Sequence, residues 1–182
     1  MYEDKTYEAT LLLGKSTDTQ DVSGEVLSEK DTNALTDEEV RAVIESFVGD
    51  YEQIPPMYSA LKVNGKKLYE LAREGKVIER KARPVVIHEI VVKEMDLPRV
   101  RMEVTCSKGT YIRTLCHDIG EKLGCGGCME ALERTKVGRF EMKDSLKLEE
   151  IKHLKDEGKL EDVMISIDAM FCQYPRVFVK RK

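Results

Sequence analysis

The sequence predicts an α+β domain, an antiparallel or mixed sheet flanked by helices. Three observations point there. Val100, Met102, Val104 and Cys106 alternate strictly with Arg99, Arg101, Glu103 and Thr105, the two-residue period of a strand with one buried face. Val40, Val43, Ile44 and Phe47 recur at three- and four-residue spacing, the period of an amphipathic helix. Strand-like and helix-like stretches interleave without the regular strand–helix–strand rhythm of a parallel sheet.

Taken in order, Lys5 to Leu13 is rich in Thr, Tyr and Leu and reads as a strand ending at Gly14. Thr17 to Gly24 is loop chemistry, and Glu25 to Ser28 reads as a short strand. Thr36 with Glu39 forms a capping box that opens the amphipathic helix, and Gly49 is its expected stop. Pro55-Pro56 breaks the chain. Tyr58 to Val63 reads as a strand leading into Asn64-Gly65, a two-residue hairpin turn. A short helix runs from Leu68 to Arg73 and stops at Gly75. The β-branched run Val85 to Val92 pairs with the alternating run after Pro98. After Ser107-Lys108-Gly109 the period changes, and Ile112, Leu115, Cys116, Ile119 and Leu123 fit a helix ending at Gly124. Leu148, Ile151 and Leu154 suggest another helix, closed by Gly158, and the tail from Pro175 reads as a strand.

The 182 residues suffice for one domain, or one domain and part of a second. No apolar run approaches the roughly 20 residues of a membrane-spanning helix. The first residues lack the basic and apolar regions of a secretory signal. Five cysteines are an odd count, read as reduced thiols of a cytoplasmic protein. The formal net charge of -4 argues against a nucleic-acid partner, but the charge is unevenly spread. Residues 1–52 carry 14 acidic and 4 basic side chains. Residues 62–83 carry Lys62, Lys66, Lys67, Arg73, Lys76, Arg80, Lys81 and Arg83 against three glutamates. Such a stretch is either a solvated charged face or a local attractor of phosphate, since screening confines each field to about 8 Å.

Cys125-Gly-Gly-Cys128 is half of a zinc site, with Cys116-His117 as the conceivable other half. Cys116, however, lies on the apolar face of its helix, and His117 projects about 100° away. Buried thiols beside a Gly-rich turn are the expectation, with no metal. Asp18 and Asp21 are either a carboxylate pair or turn-forming residues, the commoner case. Neither His88 nor His153 has a Ser or Cys partner that would suggest a hydrolytic triad. Cys106 to Leu115 joins a strand to a helix through a glycine and places Lys108, Tyr111 and Arg113 at the junction. A helix N-terminus with a cation and an aromatic can hold an anion and stack a ring, or can be a surface turn with a solvated arginine.

The block C-S-K-G-T-Y-I-R-T-L at 106–115 resembles a signature of the bacterial TruB family of tRNA pseudouridine synthases. Three further blocks are similar, in the same order. They are K-T-Y-E-A-T-L-L-L-G-x-x-T-D-T-x-D-x-x-G from Lys5 to Gly24, P-P-M-Y-S-A-L-K-V-N-G-K-K-L-Y-E-L-A-R-x-G from Pro55 to Gly75, and L-G-C-G-x-x-x-x-x-L-x-R-T-x-V-G-x-F from Leu123 to Phe140. The resemblance implies a pseudouridine synthase fold, present in part, and an isomerase without a cofactor. Its substrate would be the T-arm of tRNA, whose T-loop uridine (position 55) is flipped out and converted to pseudouridine. Residue by residue, it implies that Tyr7 stacks on the flipped base and takes part in proton transfer, that Tyr111 lines the uracil pocket, and that Leu132 packs on the base from the other side. Arg113 would pair with the family's nucleophilic aspartate. Lys62, Lys66, Lys67, Arg73 and Lys108 would meet RNA phosphates, with Arg134 and Lys136 adding to them.

The nucleophile of the family lies in a G-x-x-x-L-D-P block before the K-x-Y strand, and the 182 residues contain no such block. The expectation is a chain inactive alone, truncated at its N-terminus, whose Arg113 has no carboxylate partner of its own. Residues 1–165 would form the larger C-terminal part of a catalytic domain and 166–182 the start of an RNA-binding domain. Strand edges left open would favour self-association. The alternative is a non-catalytic RNA-binding module on the same fold. Cys128 stands where family members often carry histidine.

Overall fold

The computed structural model describes residues 3–63, 65–172 and 175. By internal contacts the chain divides into two compact units, residues 1–143 and 144–182.

The first unit opens with strands β1 (Lys5–Leu13), β2 (Lys15–Thr17) and β3 (Val26–Glu29). Helix α1 (Asp37–Glu45) follows, its capping box closed in both directions: Thr36 Oγ1 accepts from the Glu39 N–H at 3.3 Å, and Glu39 accepts from the Thr36 N–H at 3.0 Å. Then come β4 (Gly49–Gln53), β5 (Lys62–Val63), β6 (Lys66–Lys67), α2 (Leu68–Arg73), β7 (Arg83–Asp96), β8 (Arg99–Cys106), α3 (Ile112–Lys122), β9 (Gly127–Val137) and β10 (Phe140–Glu141). Six strands form one sheet in the order β10-β9-β1-β8-β7-β4, every neighbouring pair antiparallel.

The alternation expected for β8 is present. Val100, Met102, Val104 and Cys106 are fully buried, and they meet Leu11, Leu13 and Ile87 of the neighbouring strands on one face. Val40 and Ile44 of α1, with Ile112, Leu115, Cys116 and Ile119 of α3, cover that face. Each such aliphatic side chain removed from water contributes about 1.5–3 kcal/mol. The opposite face carries ion pairs. Arg101 reaches Glu8 at 2.8 Å and Glu94 at 3.2 Å, and Lys93 meets Glu103 at 3.3 Å.

The structure differs from the sequence reading at three places. Gly49 is not the stop of α1, which ends at Glu45 with Ser46 as its C-cap; it starts β4, a polar edge strand without an apolar signature. β9, the neighbour of β1, lacks alternation because its first residues are buried while much of the rest is exposed. Tyr58 to Val63 is a strand only at Lys62–Val63, because turn contacts take up the earlier backbone. The Ser59 N–H bonds the Met57 carbonyl, and the Ser59 and Leu61 carbonyls accept from Tyr69 and Leu68. Lys62 and Val63 pair with Lys67 and Lys66 around Gly65, while Asn64 lies outside the described residues.

The second unit contains α4 (Leu148–Asp156) and α5 (Ile167–Met170), with a 3-10 turn at Leu160–Val163 between them. The strand expected from Pro175 onward falls on residues outside the description. Among the described residues no helix is long and apolar enough to cross a membrane.

Candidate active site

β8 hands over to α3 through a short, fully bonded turn. The Ser107 N–H donates to the Val86 carbonyl and its hydroxyl accepts from the Val86 N–H, each at 2.8 Å. Gly109 takes φ +85°, a left-handed conformation that favours glycine. Thr110 Oγ1 donates back to the Ser107 carbonyl at 2.9 Å. Tyr111 is then the N-cap residue of α3, with no side-chain cap of its own. Its backbone is held instead by the buried Gln53 amide, which donates to the Tyr111 carbonyl at 3.0 Å and accepts from the Tyr111 N–H at 2.8 Å.

Arg113, on the first turn of α3, is half-buried and held by three acceptors on two segments. Nη2 donates to the Tyr58 carbonyl at 2.7 Å; Nη1 reaches the Thr19 carbonyl at 3.4 Å and Asp21 Oδ2 at 3.3 Å. The expectation that Arg113 has no carboxylate within this chain is therefore overturned. The missed partner is Asp21, read as a turn residue. It does turn the chain, accepting from the Ser23 N–H at 3.0 Å, the Thr19 hydroxyl at 3.0 Å and the Ser23 hydroxyl. Its second oxygen remains for Arg113. Partial burial raises the Asp21 pKa, but the bonds from Ser23 and Thr19 together with the Arg113 charge outweigh it, and the carboxyl lies below its ordinary value. Between them Gln20 sits at φ +64°, its amide oxygen accepting from the buried Thr114 hydroxyl at 2.7 Å.

Tyr7, Tyr111, Arg113 and Leu132, drawn from β1, the α3 junction and β9, line one cleft of about 340 Å³. Thr110, Ile112 and Met129 complete it. Met129 was not singled out in the sequence. Tyr7 continues the core-facing row of Ala9 and Leu11 to the rim of the sheet, so its ring leaves the core where the cleft begins. Burial raises the Tyr7 hydroxyl pKa and nearby Cys106 adds to this, while Arg134 pulls it down. Leu132 is 44% exposed, which suits a wall of an open cleft better than a core position. Apolar walls, two phenol rings and one anchored guanidinium can take a planar heterocycle and a negative charge together.

The basic side chains lie elsewhere. Lys62, Lys66, Lys67 and Arg73 belong to the β5–β6 hairpin and α2, and Lys108 is exposed on the turn before α3; none of the five lines the cleft. Lys67 and Arg73 each stand 5.3 Å from the Tyr69 ring centre, and Lys66 is 3.6 Å from Glu74. Cys116, Cys125 and Cys128 are buried free thiols, and burial raises the pKa of Cys116 and Cys128.

Residues 1–112 match the family model for the N-terminal domain of TruB family pseudouridylate synthases, and residues 113–171 the model for the C-terminal domain of tRNA pseudouridylate synthase B. Among curated proteins, tRNA pseudouridine synthase B of Clostridium novyi is 49% identical over the whole chain, which covers 61% of that protein. The protein of the same name from Clostridium tetani is 47% identical over 97% of the chain, covering 60% of its own length. The chain thus spans about three fifths of these relatives. Among solved structures, a chain of a Cbf5-Nop10-Gar1 complex superposes with a TM-score of 0.62 at 26% identity, over 88% of this chain and 39% of that one. A chain of an H/ACA RNP bound to a substrate RNA containing 2'-deoxyuridine gives 0.57 at 21% identity over 88% and 38%, and supports the fold alone.

Proposed function

The chain belongs to the TruB family of pseudouridylate synthases, and on that premise we propose that its cleft receives a uracil flipped out of the T-arm of tRNA for conversion to pseudouridine in the cytoplasm. The observation that carries this reading is the convergence of Tyr7, Tyr111, Arg113 and Leu132 on one cleft from three separate stretches of sequence. In the reaction the N1–C1' bond of uridine breaks, the base turns, a C5–C1' bond forms, the C5 proton leaves to solvent and N1 takes up a proton in its place. Tyr7 offers a π-face for the base and a hydroxyl that can relay that proton, passing its own to solvent as it accepts the one from C5. Arg113, pinned by Tyr58 and Asp21, presents a fixed positive charge to an attacking carboxylate. Lys62, Lys66, Lys67, Arg73 and Lys108 supply charge for the RNA backbone without reading sequence. No cofactor enters this scheme.

The attacking carboxylate is not Asp21 in this reading, because Asp21 spends its oxygens on Ser23, Thr19 and Arg113. The 182 residues contain no G-x-x-x-L-D-P block, so the isolated chain binds the T-arm and does not turn it over. A T-arm hairpin tritiated at uridine C5 tests this. The chain alone should release no tritium, and a peptide carrying the G-x-x-x-L-D-P block should restore release. Binding without release under both conditions would favour a non-catalytic RNA-binding module, and failure to bind the hairpin would refute the reading. The edge strands β4 and β10 also offer unpaired backbone for self-association, which a concentration series in sedimentation velocity would detect.

A further inference from the structure

Gln53 is the last residue of β4, outside the cleft, and its side chain is nearly devoid of solvent at 1% exposure. It spends both ends of its amide on one residue, the N–H and carbonyl of Tyr111. That is the bonding of a β-ladder rung, made here by a side chain to the residue that begins a helix. Two positions earlier, Tyr51 extends to the same helix and its hydroxyl donates to Asp118. β4 therefore holds α3 at two points. The Tyr51 contact lies beyond the first turn, whereas the Gln53 contact fixes the backbone of the residue whose ring enters the cleft. Arg113 is two residues further along.

We propose that Gln53 is a positioning residue: its amide sets the backbone of Tyr111, and so the direction in which the Tyr111 ring and the Arg113 guanidinium enter the cleft. This inference rests on the reading of the cleft as a base pocket. Its consequence is selective. Loss of the amide should weaken recognition of the flipped base and leave backbone contacts from the basic hairpin intact.

The test compares the affinity of the chain for two T-arm hairpins, one with uridine and one with an abasic site at the target position. The wild type should prefer uridine. Gln53→Met keeps length and burial but removes both bonds, and should cut that preference about tenfold while abasic affinity stays within about twofold. Gln53→Glu gives a second variant with its own signature. Protonated, the carboxyl donates and accepts where the amide did; ionised, it faces the Tyr111 carbonyl with no proton to give. Its uridine preference should recover as pH falls through the carboxyl titration. Any pH effect arising at Asp118 through Tyr51 is common to the wild type and is subtracted by it. An undiminished preference in Gln53→Met, or an equal loss for both hairpins with no recovery in Gln53→Glu, overturns the proposal. A wild type without preference for uridine overturns the base-pocket reading itself.

Discussion

Arg113 and Asp21, 92 positions apart in the chain, meet at 3.3 Å and tie the loop after β2 to the first turn of α3. The pair belongs to a wider clamp, because the same guanidinium holds the Tyr58 carbonyl at 2.7 Å and approaches that of Thr19. The two nitrogens of the planar fork reach opposite sides, Nη2 to Tyr58 and Nη1 to Thr19 and Asp21, and the single nitrogen of a shorter lysine cannot span both. Arg113→Lys should therefore keep the charge and lose the clamp. We expect destabilisation of about 1–3 kcal/mol from acceptors left without partners, read as a lower urea midpoint. Uridine preference in hairpin binding should fall with it.

Asp21 should make stability depend on acid. Its carboxyl sits below the ordinary value in the folded chain, so the folded state binds that proton less readily than the unfolded state. The stabilisation is fully present above the unfolded carboxyl pKa, near 4, and is lost as pH falls from there through the folded value. Asp21→Asn removes the titrating group. Urea unfolding should give wild-type and variant curves that run parallel between about pH 6 and 8 and converge below about pH 5. Curves parallel throughout would assign the lowered pKa no energetic role.

Much of this arrangement is legible in the sequence. β1, β8, α1, α2 and α3 have strong periodicity or caps, and their positions follow from local rules. The cleft residues Tyr7, Tyr111, Arg113 and Leu132 were named through the family resemblance. Asp21 was misjudged because a turn-forming aspartate and an arginine partner look alike in sequence; the geometry allows both, one oxygen for each. Gln53 was invisible because it sits on β4, an edge strand that owes its place to pairing with β7 rather than to any pattern of its own. β9 was missed for a related reason: its burial changes along its length, so no single period describes it.

Gly120 marks the closest approach of α3 to β9. A Cβ built there would lie 2.1 Å from the Gly127 nitrogen and 2.3 Å from the Gly126 carbonyl carbon, both backbone atoms that cannot rotate away. Gly120→Ala should therefore cost more than the helix propensity of alanine returns, at least about 1–3 kcal/mol. Thermal unfolding would show a melting temperature lower by several degrees; an unchanged or higher value would mean that α3 can back away from β9 without loss.

The basic hairpin should reveal itself through salt. If Lys62 meets an RNA phosphate, Lys62→Ala removes about one released counterion, and the plot of log affinity against log salt becomes shallower by about 0.7–0.9. Lys93, on the ion-paired face of the sheet 3.3 Å from Glu103, is the control, and Lys93→Ala should leave the slope unchanged. Equal slopes for both variants would move the RNA path off the β5–β6 hairpin.

Tyr7 separates stacking from hydrogen bonding. Its ring lies at the cleft, and its hydroxyl, raised by burial, stays protonated near neutral pH. If the ring stacks on the base, Tyr7→Phe should bind the uridine hairpin within about twofold of the wild type, whereas Tyr7→Leu should lose about tenfold, within the range of one base–aromatic stack. Neither change should alter the salt slope, because no phosphate contact is lost. Once the G-x-x-x-L-D-P peptide is supplied, Tyr7→Phe should bind normally but release C5 tritium more slowly, since the ring remains and the proton-handling oxygen is gone. Normal release by Tyr7→Phe would confine Tyr7 to stacking and leave the C5 proton to another group.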